Sequence, residues 1–143
     1  MRLLRIWTVF VIGIVIAMLG SALHAQKNET VSDDDMKIIA FEDLRYPLAA
    51  RLAHTEGVVV IRLKLDDDGN ISETHAISGA KGLIPDCLAN AKKWRFHPNA
   101  NKTAIIVYYF RIEGLCQGYG SSQFIFHPPN LAIITSCDAV VEP

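Results

Sequence analysis

Three cysteines, Cys87, Cys116 and Cys137, five histidines at 24, 54, 75, 97 and 127, and the aspartates of "DDDGN" at 66–70 are the residues that could carry chemistry. A thiolate activated by a neighbouring base is a nucleophile, and histidines or cysteines at short fixed spacings hold zinc. Neither arrangement occurs. The histidines are scattered, no CxxC pair or HxxxH spacing exists, and Cys87 falls on an apolar stripe where a thiol packs rather than reacts. "DDDGN" lacks the spaced ligands and bidentate glutamate of a calcium loop, so it reads as an acidic turn. Neither catalysis, nor a metal site, nor a cofactor is expected. Three cysteines in an oxidising compartment would give one disulfide and one spare thiol.

The compartment is set by the N-terminus. Arg2 and Arg5 precede an apolar run from Ile6 to Leu23, and "SALHA" offers a cleavage point before Gln26. Residues 1–25 therefore read as a signal peptide or a short membrane anchor, and both place residue 26 onward outside the inner membrane. The expected location is periplasmic or secreted after cleavage, with an inner-membrane-anchored form facing the periplasm as the alternative. Loss of Arg2 and Arg5 would move the net charge from −1 to about −3. With no basic stripe to neutralise phosphates, nucleic acid is excluded as a partner. Residues 26–45, with the acidic "SDDD", read as a linker.

The elements that follow can be read from their periods. "RYPLAARLAHTEG" predicts a two-turn helix behind Pro47, with Leu48 and Leu52 as its apolar stripe. "GVVVIRLKL" alternates, with Val59, Ile61, Leu63 and Leu65 on one face. "ISETHAIS" alternates again through Ile71, Thr74 or His75, and Ile77, and the pair is joined by the acidic turn as a β-hairpin. A second helix has Pro85 and Asp86 at its start and the stripe Ile84, Cys87, Leu88, Ala91, Trp94. "WRFHP" then changes period from helical to extended. Trp94 ends the helix stripe, Phe96 begins an extended one, and Pro98 stops the helix resuming. A tryptophan at that corner reads as a plug between helix and sheet. The third strand, "TAIIVYYFRIEG", is apolar on both faces.

In order and spacing, Tyr46-Pro47, Glu56-Gly57, the strand ending at Gly69, "ISG" at 77–79 and Trp94-Arg95-Phe96-His97-Pro98 resemble the C-terminal domain of TonB. The resemblance covers roughly Tyr46 to Gly114. It implies an α+β domain over 46–114, with three antiparallel core strands and two helices on one face. It also implies that the third strand, here Ile105, Ile106, Val107, Tyr108, Tyr109, Phe110 and Arg111, is a free edge that accepts an extended peptide as an added strand. The partner so implied is an outer-membrane receptor or another envelope protein, and homodimerisation is compatible with such an edge.

Three departures qualify the likeness. No proline-rich spacer precedes the domain, and the roughly 20 residues from Ala25 to Tyr46 reach on the order of 70 Å at full stretch. The apolar run contains no histidine, and "EDLRYP" lacks the glutamine that family members carry before "YP". Coupling to the motor proteins ExbB and ExbD is therefore not implied. Residues 115–143 form a C-terminal extension whose segments Phe124–Phe126 and Leu131–Thr135 could each return as a strand. If they do so in succession, Cys116 and Cys137 come to one edge and are the expected disulfide, leaving Cys87 a buried thiol; Cys87 to Cys116 is the rival pairing. A tail held in this way would close the receptor edge, and the alternative function is then a disulfide-stapled structural or assembly domain of the envelope.

Overall fold

The computed structural model describes residues 36–116 and 122–139; the apolar run, the cleavage point and residues 26–35 of the expected linker lie outside them. Among the described residues no helix is long and apolar enough to cross a membrane. The elements are β1 (Ile38–Ala40), α1 (Leu48–Leu52), β2 (Gly57–Leu65), β3 (Ile71–Ser78), α2 (Ile84–Ala91), β4 (Arg95–Phe96), β5 (Thr103–Cys116), β6 (Ser122–His127) and β7 (Leu131–Ala139). β1 and β4 form a two-stranded sheet, and the other five strands form one sheet in the order β3-β2-β5-β7-β6. The class is α+β, as expected. The sheet is larger than the three antiparallel strands expected, and it is mixed, because β7 lies parallel to β5.

Alternation in β2 buries Val59, Ile61, Leu63 and Leu65, and β5 answers with Ile106, Tyr108 and Phe110. α2 covers that face, packing on β2 and β3. Its Cys87 and Ala91, with Leu83 and Trp94 at either end, are buried. Pro85 and Asp86 sit in its first turn, where a missing N–H and a negative charge are both favourable.

Two phase assignments need correcting. In α1, Leu48 and Leu52 are 59% and 68% exposed, and Ala50 is the buried residue. The helix is only five residues long, and its orientation is set from outside by Tyr46, whose hydroxyl donates to the Thr55 carbonyl at 2.8 Å and whose ring meets Phe110 edge-on at 5.3 Å. Tyr46 and Ala50, four apart, are the stripe. In β3, Ala76 opposes Ile61, and Ile77 is 46% exposed, because the register shifts between Val60 and Ile61 and again between Lys64 and Leu65. Each shift inserts a residue and inverts the alternation beyond it.

The hairpin turn is fixed by Asp66, whose Oδ1 accepts from the backbone N–H groups of Asp68 and Asn70. Gly69 has φ +80, and a Cβ there would lie 2.1 Å from the Phe96 carbonyl oxygen, so the turn requires glycine both for its backbone angle and for β4's approach.

Trp94 is buried with Phe96 at 6.4 Å, Tyr108 at 6.2 Å and Phe126 at 5.6 Å between ring centroids, which makes it the plug between helix and sheet. Removing so large a buried ring leaves a cavity, so Trp94→Ala is expected to cost about 3–5 kcal/mol, a large share of a small domain's margin. Thermal unfolding reads it; an unchanged midpoint contradicts the packing role.

Candidate functional site

A strand-adding domain works through backbone groups left unpaired at a sheet edge, so the site begins with which edges are open. β5 is not one of them. Its Gly57-facing side pairs with β2 from Thr103 to Phe110, and its other side pairs with β7 from Val107 to Cys116. Of the expected edge, Val107, Tyr108, Tyr109 and Phe110 are therefore flanked on both sides, Arg111 pairs with β7 alone, and Ile105 and Ile106 precede the start of β7. The tail does return as two strands, but not in chain succession: β7 inserts between β5 and β6.

The physical reason is size. On the covered face Tyr108 opposes Ala132, Phe110 opposes Ile134 and Ile112 opposes Ser136. On its far side Ala132 opposes Phe126, and Ile134 opposes Phe124. A small residue thus lies between Tyr108 and Phe126. Placing β6 directly on β5 would set phenylalanines against tyrosine and phenylalanine under the same helix layer, where close-packed interiors tolerate little excess volume.

β3 and β6 are left as the outer strands, and they differ. β3 has two register shifts and carries Glu73, which takes a salt bridge from Lys64 at 2.6 Å. Bulges and charges are what blunt an edge against pairing. β6 reads "SQFIFH", without a carboxylate, lysine or arginine, and holds an unshifted register with β7 over its whole length. Its Phe124 and Phe126 pack on the core, and its Ile125 is exposed on the opposite face.

The chain before α1 borders β6. Phe41 stacks on Phe124 at 5.9 Å and meets Phe126 at 4.8 Å and Trp94 at 5.5 Å, and the Tyr46 N–H donates to Ser122 Oγ at 2.8 Å. Between those contacts the strap is held by Asn90. This buried amide donates to the carbonyls of Glu42 at 2.9 Å and Asp43 at 3.4 Å, and its oxygen accepts from Trp94 Nε1 at 3.0 Å and from the Tyr108 hydroxyl at 2.9 Å. Residues 38–45, expected as linker, thus include a strand and an anchored strap.

The motif residues serve the core. Tyr46 and Phe96 are buried, Pro47 precedes α1, Glu56 accepts from the Ile112 N–H, Gly57 opens β2, and Pro98 is exposed beyond β4. Asn90 and Phe41 were not picked out by sequence; the segments Phe124–Phe126 and Leu131–Thr135 were expected as strands, but not β6 as an outer strand or Ala132 as the small residue beside Tyr108.

Residues 42–113 match the family described as Gram-negative bacterial TonB protein C-terminal, half of the 143-residue chain. The chain belongs to that family. No curated protein matches it. The TonB C-terminal match ends at Glu113, inside β5, so β6 and β7 both lie beyond it.

Within the TonB C-terminal core, three groups keep their protons by burial. Desolvation, with Glu56 nearby, pushes Tyr46 up to about 12, and desolvation, with Asp86 nearby, pushes the Cys87 thiol up to about 12. Desolvation raises Tyr108 as well. Unfolded, a cysteine and a tyrosine ionise near about 8.5 and about 10, so the unfolded chain releases these protons first. Stability is therefore full below about pH 8.5 and falls as pH rises toward 12, by at most about 1.4 kcal/mol per pH unit for a group in its window, and by less for Tyr46, whose surroundings solvent partly screens. Urea unfolding at pH 8 and pH 11 is expected to show a loss of several kcal/mol; equal stabilities would contradict the burial of these groups.

Proposed function

We propose that the protein is a TonB-like envelope interaction module that takes an extended segment of an outer-membrane receptor, or of another envelope protein, as an added strand, and that the strand adds at β6 rather than at β5. The supporting observation is that, among the described residues, β6 pairs on one side only, with β7, and carries none of the bulges or charges that guard β3. An incoming segment would gain backbone hydrogen bonds with little demand on its sequence, and its alternate side chains would lie over Phe124 and Phe126 on one face and over Ile125 on the other. An energy-dependent transport role is supported by the family alone and by no described residue. In this reading residues 1–25 are an export signal, and the mass of the envelope form is expected to lack them.

A second reading, a structural or assembly domain of the envelope with a self-capped edge, is favoured by the pairing of β7 along Val107–Cys116. It includes a Cys116–Cys137 disulfide. The register supports this: Cys116 opposes Ala139, two residues from Cys137 on the same strand, while Cys87 is free and buried on α2. Closing a loop of that size would stabilise the fold by roughly 3 kcal/mol. Non-reducing peptide mapping reads the pairing, and a crosslink containing Cys87 would overturn it.

The two readings part on one experiment. A synthetic peptide carrying a receptor's TonB box, titrated into the labelled protein, is expected to shift the backbone amides of Ser122–His127. Ile125→Lys is expected to weaken binding at least tenfold, about 1.4 kcal/mol, without moving the unfolding midpoint. Shifts confined to β3 or β5 would move the peptide site off β6, and no binding at all would leave the structural reading in place.

A further inference from the structure

Leu48 and Leu52 are the two most exposed large apolar residues among those described, and they lie one turn apart on α1. A single apolar side chain at a surface calls for no explanation. These two form a stripe with Arg51 on the same side of the helix, while Ala50 turns inward to the core. Arg45, also exposed, stands three residues before Leu48.

The charge around this stripe is one-sided. From Leu44 to Thr55 the chain carries Arg45, Arg51 and His54 and no carboxylate. The carboxylates that border the stretch are largely engaged elsewhere. Glu42 pairs with Lys93 at 2.9 Å, Glu56 accepts from the Ile112 N–H, and Asp138 holds His54 at 3.0 Å. Among the described residues neither Arg45 nor Arg51 has an ion-pair partner, and Asp43 is the bordering carboxylate left over.

We infer that α1 rests on an anionic phospholipid surface, with Leu48 and Leu52 entering the boundary between headgroups and acyl chains and with Arg45 and Arg51 on the phosphates. The size of the stripe decides between a membrane and a protein partner. Its five residues make a helix about 7.5 Å long, whereas a specific protein interface buries roughly 800 Å² on each side, which two leucines do not supply. A bilayer demands no matching shape. Each apolar side chain enters it separately, and a guanidinium takes a phosphate through two hydrogen bonds while its stem stays beside the leucines. Anionic headgroups add attraction for each arginine near the surface.

The contact also orients the domain. The Tyr46 N–H donates to Ser122 Oγ, so the start of α1 lies at the start of β6. A domain held by α1 therefore presents Ser122–His127 near the membrane, where an extended segment of a membrane protein emerges. Lipid contact by α1 does not depend on a strand being added at β6.

Flotation of the mature protein, purified from the envelope, with large vesicles tests this. Vesicles of phosphatidylglycerol mixed with phosphatidylcholine are expected to carry the protein, and vesicles of phosphatidylcholine alone to carry about tenfold less. Leu48→Ser combined with Leu52→Ser is expected to lower partition by about tenfold while the unfolding midpoint holds, because both side chains are exposed. Arg45→Gln combined with Arg51→Gln is expected to abolish the preference for anionic vesicles, together with its weakening at high salt. Trp94 is buried, so Leu52→Trp is expected to add a fluorescence that shifts to the blue with anionic vesicles. Val58→Ser and Ile125→Ser, on the sheet face opposite α2, are controls expected to leave partition unchanged. No binding to anionic vesicles, binding indifferent to the leucine changes, or an equal loss in the controls would overturn the inference. So would a dimer that the leucine changes dissociate, since the stripe would then belong to a second copy. A protein that ignores vesicles but takes a TonB-box peptide at β6 loses the lipid contact and keeps strand addition; one that binds vesicles and no peptide does the reverse.

Discussion

β7 lies parallel to β5 and closes the side of that strand which a TonB C-terminal core, ending as the family match does within β5, would leave unpaired. A sheet edge is a row of donors and acceptors that must find partners in water or in another chain. Here the partner is the protein's own tail, and the fit is decided by Ala132, small enough to lie between Tyr108 and Phe126. Everything functional in the fold follows from that placement. β5 becomes a central strand, and among the described residues β6 joins β3 as an outer strand of the sheet.

The new edge would be poorly supported without Asn90. Its amide group uses both ends at once, donating to two carbonyls of the strap at Glu42 and Asp43 and accepting from Trp94 and Tyr108. A buried amide left half-paired costs more than an apolar side chain in the same place, so the value of this residue depends on all four partners being present. With them present, helix, strap and central strand are tied at one point, and Phe41 is delivered onto Phe124 and Phe126. The edge strand is thereby backed by a fixed aromatic layer.

Much of this core could be read from the sequence, because its signals are local. The alternation of Val59 to Leu65, the stripe through Cys87 and Ala91, and the change of period at Trp94 each reflect the geometry of one element, and each was found where expected. Misreadings arose where something distant sets the phase. Leu48 and Leu52 resemble a core stripe until Tyr46 anchors the helix in another orientation. Ile77 resembles an inward residue until a bulge, invisible in β3 alone, inverts the count. The order of the last two strands was hidden for the same reason: "FIF" and "LAIIT" each announce a strand, but which one lies beside β5 depends on the volumes opposed across three strands. The site is set by that order, so it was the least legible part of the chain.

The placement of β7 can be tested without any ligand, by native-state amide hydrogen exchange. If β7 is a permanent neighbour of β5, every amide from Val107 to Arg111 is bonded to one neighbouring strand or the other, and all should exchange only through global unfolding, with free energies equal to the stability of the domain. Alternate amides in that stretch exchanging by a low-energy local opening, while their neighbours bonded to β2 stay protected, would show that the tail lifts away and that β5 remains an open edge.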